Sequence, residues 1–173
     1  MKQPLSQTGI CTDMSNPAPA PEPASIPSEQ LLARLRDAAI ARGEANVQLL
    51  QTHISWILLA GDFAYKFKKP LKLDFLDFST LAQRHAACQE ELRINRRTAP
   101  DLYLDVQPII GSVQAPRIGG HIDGQSPPLE WAVRMRRFPA HALMADLAAR
   151  GELAAAHIDA LARTIVTFQA QAA

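Results

Sequence analysis

The sequence predicts an α+β fold: an antiparallel sheet with one helix inserted after its third strand, followed by helical structure. Three observations carry this. Residues 63–68 alternate strictly, with Phe63, Tyr65 and Phe67 on one face of a strand and Ala64, Lys66 and Lys68 on the other. Gly61-Asp62 separates that strand from an apolar strand at 54–60, a two-residue hairpin signal. Thr80 with Gln83 forms a capping box that opens a helix, and strand patterns resume only after it.

Composition narrows the function classes. The chain has 173 residues, 47% of them apolar, enough for one folded domain. Its 18 basic and 17 acidic side chains leave a net charge of +1, so no global field recruits nucleic acid or an anionic membrane. Cys11 and Cys88 fit no metal-ligand spacing. No run approaches the length of a transmembrane helix, and residues 1–14 lack the apolar core of a signal peptide, so the expectation is a cytoplasmic protein.

Taken in order, residues 1–27 are rich in Pro, Ala and Ser and read as a disordered tail. Ser28 opens a helix that carries Leu31, Leu32 and Leu35 at helical spacing and stops near Gly43. Residues 47–51 read as a short strand, Thr52-His53 as a polar interruption, and 54–60 as a strand buried on both faces. Pro70 closes the lysine strand, and 71–78 form a mixed acidic and aromatic connector. The capped helix that follows places Leu81, Cys88 and Leu92 within about 40° of one another and ends before Pro100. Strands are expected at 102–110 and 129–138, with a short one at 116–118 inside a Gly/Pro-rich stretch. Ala- and Leu-rich helices are expected at 143–150 and 157–171, the second with a stripe of Ile158, Leu161, Ile165 and Phe168.

The chemistry centres on the lysine strand. Phe63-Ala64-Tyr65-Lys66 matches in chemical type the V-A-I-K pattern of a kinase small lobe, where a small residue meets the nucleotide base and the lysine meets the phosphates. Such a lysine needs a carboxylate from the inserted helix. Glu91 lies about 60° from Cys88 and can reach the sheet, whereas Glu90 lies about 160° from it and points to solvent. Lys68 shares a face with Lys66 and is its rival; the Ala64-x-Lys66 spacing favours Lys66. The competing explanation of Lys66, Lys68, Lys69 and Lys72 is a solvated basic edge that blocks strand aggregation. Thr52, His53 and Ser55 lie at the turn that would cover phosphates, without a Gly-rich loop. Met135, near the end of the last strand, is a candidate to meet an adenine edge through its main chain. No P-loop and no H-E-x-x-H or G-x-S-x-G pattern occurs.

Taken together, residues 52–56, 60–70, 75–81, 91–97 and 132–139 resemble, in order, motifs of a bacterial family of aminoglycoside phosphotransferase-like kinase domains, usually followed by a P-loop ATPase domain. The resemblance implies a protein-kinase-like small lobe over 28–139 and the first helices of a large lobe over 140–173. It also implies ATP with Mg2+ as the nucleotide, and an unidentified small molecule as phosphate acceptor. The catalytic-loop aspartate and asparagine and the further metal-binding aspartate of such kinases fall beyond the motifs matched here. The resemblance therefore implies a phosphotransferase fragment that binds ATP without transferring phosphate. The alternatives are a pseudokinase-like binding module and a lysine-rich interaction domain that binds no nucleotide. In the fragment reading, the stripe on the last helix is an uncovered seam through which the chain self-associates.

Overall fold

The computed structural model describes residues 28–122 and 126–171. The expected tail at 1–27, with Cys11, lies outside them. The elements run α1 (Ser28–Ala41), β1 (Gln48–Gln51), β2 (Ser55–Ala60), β3 (Phe63–Lys68), β4 (Lys72–Leu73), β5 (Leu76–Asp77), α2 (Leu81–Asn95), β6 (Tyr103–Gly111), β7 (Pro116–Ile118), β8 (Glu130–Arg136), a single 3-10 turn (Ala140–Ala142), α3 (Met144–Ala149) and α4 (Ala155–Ala170). The fold is α+β. Its antiparallel sheet of six strands has the order β1-β2-β3-β8-β6-β7, and β4 and β5 form a separate small hairpin within the connector.

The last strand is inserted between β3 and β6. Phe67 pairs with Ala132, Lys66 with Val133 and Ala64 with Met135, while Val106 pairs with Val133 from the other side. β3 is therefore an interior strand, flanked by β2 and β8. This overturns the solvated-edge explanation for Lys66 and Lys68, because an interior strand has no open hydrogen-bonding edge to protect; Lys72, on the separate β4–β5 hairpin, is exposed.

α1 covers one face of the sheet. Leu31, Leu32, Leu35 and Ala39 are each no more than 3% exposed and pack with Trp56, Leu58, Ala60, Phe67, Ile109 and Ala132. The alternation in β2 and β3 supplies this layer, since Trp56 and Leu58 share a face with their register partners Phe67 and Tyr65. Each fully buried leucine or phenylalanine contributes about 1.5–3 kcal/mol relative to exposure. α1 ends where Gly43, at φ +76°, lets the chain reverse and the Glu44 amide donate to the Ala39 carbonyl at 3.1 Å.

α2 lies on the opposite face, across β8, β6 and β3. The Thr80 hydroxyl accepts from the Gln83 amide and the Gln83 side chain accepts from the Thr80 amide, so the expected capping box is formed. His85 stacks on Trp131 with ring centroids 3.7 Å apart. The residues of α2 buried against the sheet are Arg84 and Cys88, not an apolar stripe; Leu81 and Leu92 are only partly covered. Burial pushes the Cys88 thiol up to about 12, keeping it a neutral packing group. On α4, Ile158, Leu161 and Ile165 are 42–48% exposed, and Phe168 lies under the Arg97 guanidinium, 4.6 Å from the ring centroid. None of the helices among the described residues is long and apolar enough to cross a membrane.

Candidate functional site

The site forms where the cationic face of β3 meets α2. β3 presents Ala64, Lys66 and Lys68 on one face because its other face is committed to the α1 layer through Phe67. Glu91 lies on α2 seven residues after Arg84 and three after Cys88, so helical geometry puts it on the sheet-facing side. Lys66 Nζ donates to Glu91 Oε1 at 2.7 Å, and Lys68 Nζ donates to Glu91 Oε2. The choice between Lys66 and Lys68 is thus not exclusive: one carboxylate holds both. Glu90 faces solvent and pairs with Arg93 on its own helix at 2.7 Å.

The three side chains are unequally enclosed. Lys68 is 7% exposed and Glu91 10%, while Lys66 is 25% exposed. Lys68 Nζ also lies 5.5 Å from the centroid of the Phe78 ring. Burial alone raises the Glu91 carboxyl, but the hydrogen bonds and charges of Lys66 and Lys68 outweigh it and hold the group below its ordinary value. A depressed carboxylate stabilises the folded state fully above its ordinary value of 4.5, and that contribution is lost as pH falls through the lower, folded value. Urea unfolding between pH 7 and pH 3 is therefore expected to show an acid loss of stability that is smaller in the variant carrying both Lys68→Met and Glu91→Gln. Superimposable pH profiles would show that Glu91 does not titrate with this linkage.

Across β8 the row continues. Met135 is the register partner of both Ala64 and Tyr103. Its side chain shares the face of Ala64 and Lys66, and its main chain sits inside the sheet between β3 and β6. What Met135 presents to this face is therefore its thioether, not the main-chain edge expected from the sequence. Tyr103 was not among the sequence candidates. Its phenol is held above its ordinary value by burial, with Glu91 pushing the same way and Lys66 opposing, as befits a group beside the ion pair. The register to Met135 locates it, and local sequence pattern does not carry that register.

The β1–β2 turn departs from expectation in two places. The Thr52 hydroxyl accepts from the Ser55 amide at 3.0 Å and donates to the Ser55 carbonyl at 3.1 Å, so it closes its own turn. His53 is exposed. Ser55 pairs with Lys68 in register and is fully buried, and its hydroxyl has no hydrogen-bond partner among the described residues. Lys69 turns away from Glu91, donating to the Thr52 carbonyl at 2.6 Å and lying over Trp56. Thus Ala64, Lys66, Glu91, Met135 and Ser55 share one side of the sheet, while Thr52 is used in the turn and His53 stands outside.

A second buried pair supports the first. Arg84 Nε donates to Glu130 Oε2 at 2.8 Å, and its Nη1 donates to the Phe78 and Ser79 carbonyls. It ties α2 and the connector to the start of β8. Arg84 stands one helical turn before Cys88, a spacing that marks it in hindsight as sheet-facing.

The described residues hold no preassembled all-protein metal centre. None of their His, Cys, Asp and Glu side chains group in threes suited to a metal ion. Asp77 is engaged by the Ser79 amide at 3.0 Å and by Lys72 at 3.0 Å.

Among known proteins, the chain is similar to uncharacterized proteins of Mycobacterium tuberculosis and Mycobacterium bovis. Each is 34% identical over 136 residues, which is 79% of this chain and 25% of the relative. The chain thus spans about a quarter of the length of the curated relatives it matches. No family model matches the chain. No solved structure matches it.

Proposed function

We propose that this chain is the nucleotide-holding lobe of an ATP-dependent, protein-kinase-like phosphotransferase. The observation that carries the reading is the 2.7 Å ion pair between Lys66 on the third strand and Glu91 on the helix inserted after it. In protein kinases a third-strand lysine is held by a glutamate of the following helix and engages the nucleotide phosphates. Two further features support it. Ala64 sits two residues before Lys66 on the same face, the order of small residue and lysine that a kinase third strand uses to meet base and phosphates. Met135 lies across from Ala64 and supplies a polarizable apolar contact for such a base.

The proposal assigns binding and orientation to these residues, not transfer. Lys66 neutralises phosphate charge and fixes the phosphate chain, and Glu91 fixes Lys66. Positioning and charge neutralisation make up most of phosphoryl-transfer catalysis. The acceptor-activating base and the metal-holding groups are assigned to other polypeptide. The phosphate acceptor is a small molecule in this reading.

Thermal unfolding with and without millimolar ATP, in the presence and absence of Mg2+, tests it. ATP at roughly 100 times Kd adds about 2.7 kcal/mol, so it is expected to raise the midpoint of the wild-type chain by about 5–11 °C. Lys66→Ala is expected to remove that shift while leaving the nucleotide-free midpoint within about 3 °C, because Lys68 keeps Glu91 paired. An absence of any ATP-dependent shift in the wild-type chain overturns the nucleotide reading.

A further inference from the structure

Two lysines on one carboxylate is one more than a phosphate-binding lysine needs, and the two are not equivalent. Lys68 is walled in. Its ammonium is held by Glu91 Oε2, its Nζ is 5.5 Å from the Phe78 ring centroid, and its strand partner is the fully buried Ser55. Lys66 is more than three times as exposed as Lys68, at 25% against 7%. An anion arriving from solvent therefore meets Lys66 and not Lys68.

Charge accounting then gives Lys68 a purpose. With Glu91 ionised, the three groups sum to +1 (two ammonium groups and one carboxylate). If Lys68 is removed, Lys66 and Glu91 sum to zero. Lys66 is then the carboxylate's last cation, and a phosphate that draws Lys66 away leaves a partly buried negative charge uncompensated beside it. Both effects weaken anion binding at a site where charges interact through a half-buried medium.

We propose that Lys68 is a positioning residue that cancels the charge of Glu91 and so releases Lys66 to engage a nucleotide's phosphates. This rests on the nucleotide reading above and extends it by a division of labour: Lys66 touches the ligand, Glu91 orients Lys66, and Lys68 neutralises Glu91. The buried Ser55 hydroxyl, which has no partner among the described residues, borders the same position and leaves a polar group facing Lys68's side of the sheet.

Calorimetric titration of the full chain with ATP, well below the unfolding midpoint, separates this role from direct contact and from mere stability. Lys68→Met is expected to weaken ATP about tenfold, the scale of one uncompensated charge in a partly buried site. Lys68→Arg keeps the charge and should stay within about threefold of wild type. The discriminating variant combines Lys68→Met with Glu91→Gln, which restores the local charge to +1 without restoring Lys68. Its affinity is expected to exceed that of Lys68→Met severalfold, staying below wild type by what the loss of the Glu91 contact to Lys66 costs.

If Lys68→Met binds ATP like wild type, or if the double variant binds no better than Lys68→Met, this inference is overturned and the nucleotide reading stands. If the wild-type chain does not bind ATP, both fall together. Should Lys68→Met fail to fold, the double variant against Glu91→Gln decides, because both lack the carboxylate. Near-equal affinity supports the proposal, and a tenfold loss in the double variant shows that Lys68 acts on the ligand itself and overturns it.

Discussion

Replacing Arg84 with methionine is expected to lower the unfolding free energy by about 3–5 kcal/mol at neutral pH, because it leaves a buried charge without its partner. The side chains of Arg84 and Glu130 are 10% and 5% exposed, and their contact at 2.8 Å ties α2 to the first residue of β8. The variant also strips hydrogen bonds from the Phe78 and Ser79 carbonyls. The loss has a direction in pH. Burial already raises the Glu130 carboxyl above its ordinary 4.5, with Arg84 and the Trp131 amide pulling the other way. Without Arg84 the folded value rises further. A raised group binds its proton more readily folded than unfolded, so the deficit is full above that raised value and shrinks as pH falls toward 4.5. Glu130→Gln behaves differently, since the stranded guanidinium cannot give up its proton. Urea unfolding at pH 7 and pH 5 checks this. A loss under 1 kcal/mol, or a loss of Arg84→Met that does not narrow at pH 5, contradicts the argument.

Much of this architecture is written locally in the sequence. The alternation of Phe63 to Lys68 and the break at Gly61-Asp62 define β2 and β3, because strand periodicity and turn chemistry act over a few residues. Thr80 and Gln83 set the start of α2 for the same reason. Glu91 over Glu90 followed from angular position alone, and the geometry puts Glu91 on Lys66. What local pattern lacks is partnership across distance. Nothing in residues 129–138 says that β8 enters between β3 and β6, yet that insertion makes β3 interior and brings Tyr103 to the site. The same limit hid Arg84. A stripe reading of α2 looks for apolar residues, but its sheet-facing side carries Arg84 and Glu91, each answered by a charge on the sheet. The short β4–β5 hairpin escaped because two-residue strands have no period to detect. On α4 the sequence shows an apolar stripe and the structure shows it exposed; periodicity reports which side is apolar, not what covers it.

Glu91→Gln should destabilise the chain by about 3 kcal/mol or more, and adding Lys68→Met should return it to within about 1 kcal/mol of wild type. Glu91 is the anion between Lys66 and Lys68, and no other carboxylate among the described residues pairs with either. A neutral glutamine leaves two ammonium groups bonded to one small amide. For charges about 5 Å apart at an effective dielectric near 20, the repulsion is on the order of 3 kcal/mol. Lys66 escapes toward solvent, but Lys68 cannot, being 7% exposed and placed against Phe78. Methionine at 68 removes the trapped charge and keeps an apolar, flexible side chain of similar length against that ring. Chemical denaturation of the wild-type chain, both single variants and the double variant closes the cycle. If Glu91→Gln is as stable as wild type, the carboxylate is not what holds the two lysines. If the double variant stays as unstable as Glu91→Gln, the loss comes from packing at position 91 rather than from charge. A restored double variant would mean that Glu91 and Lys68 act as one unit, the same coupling that the nucleotide titration reads from the ligand's side.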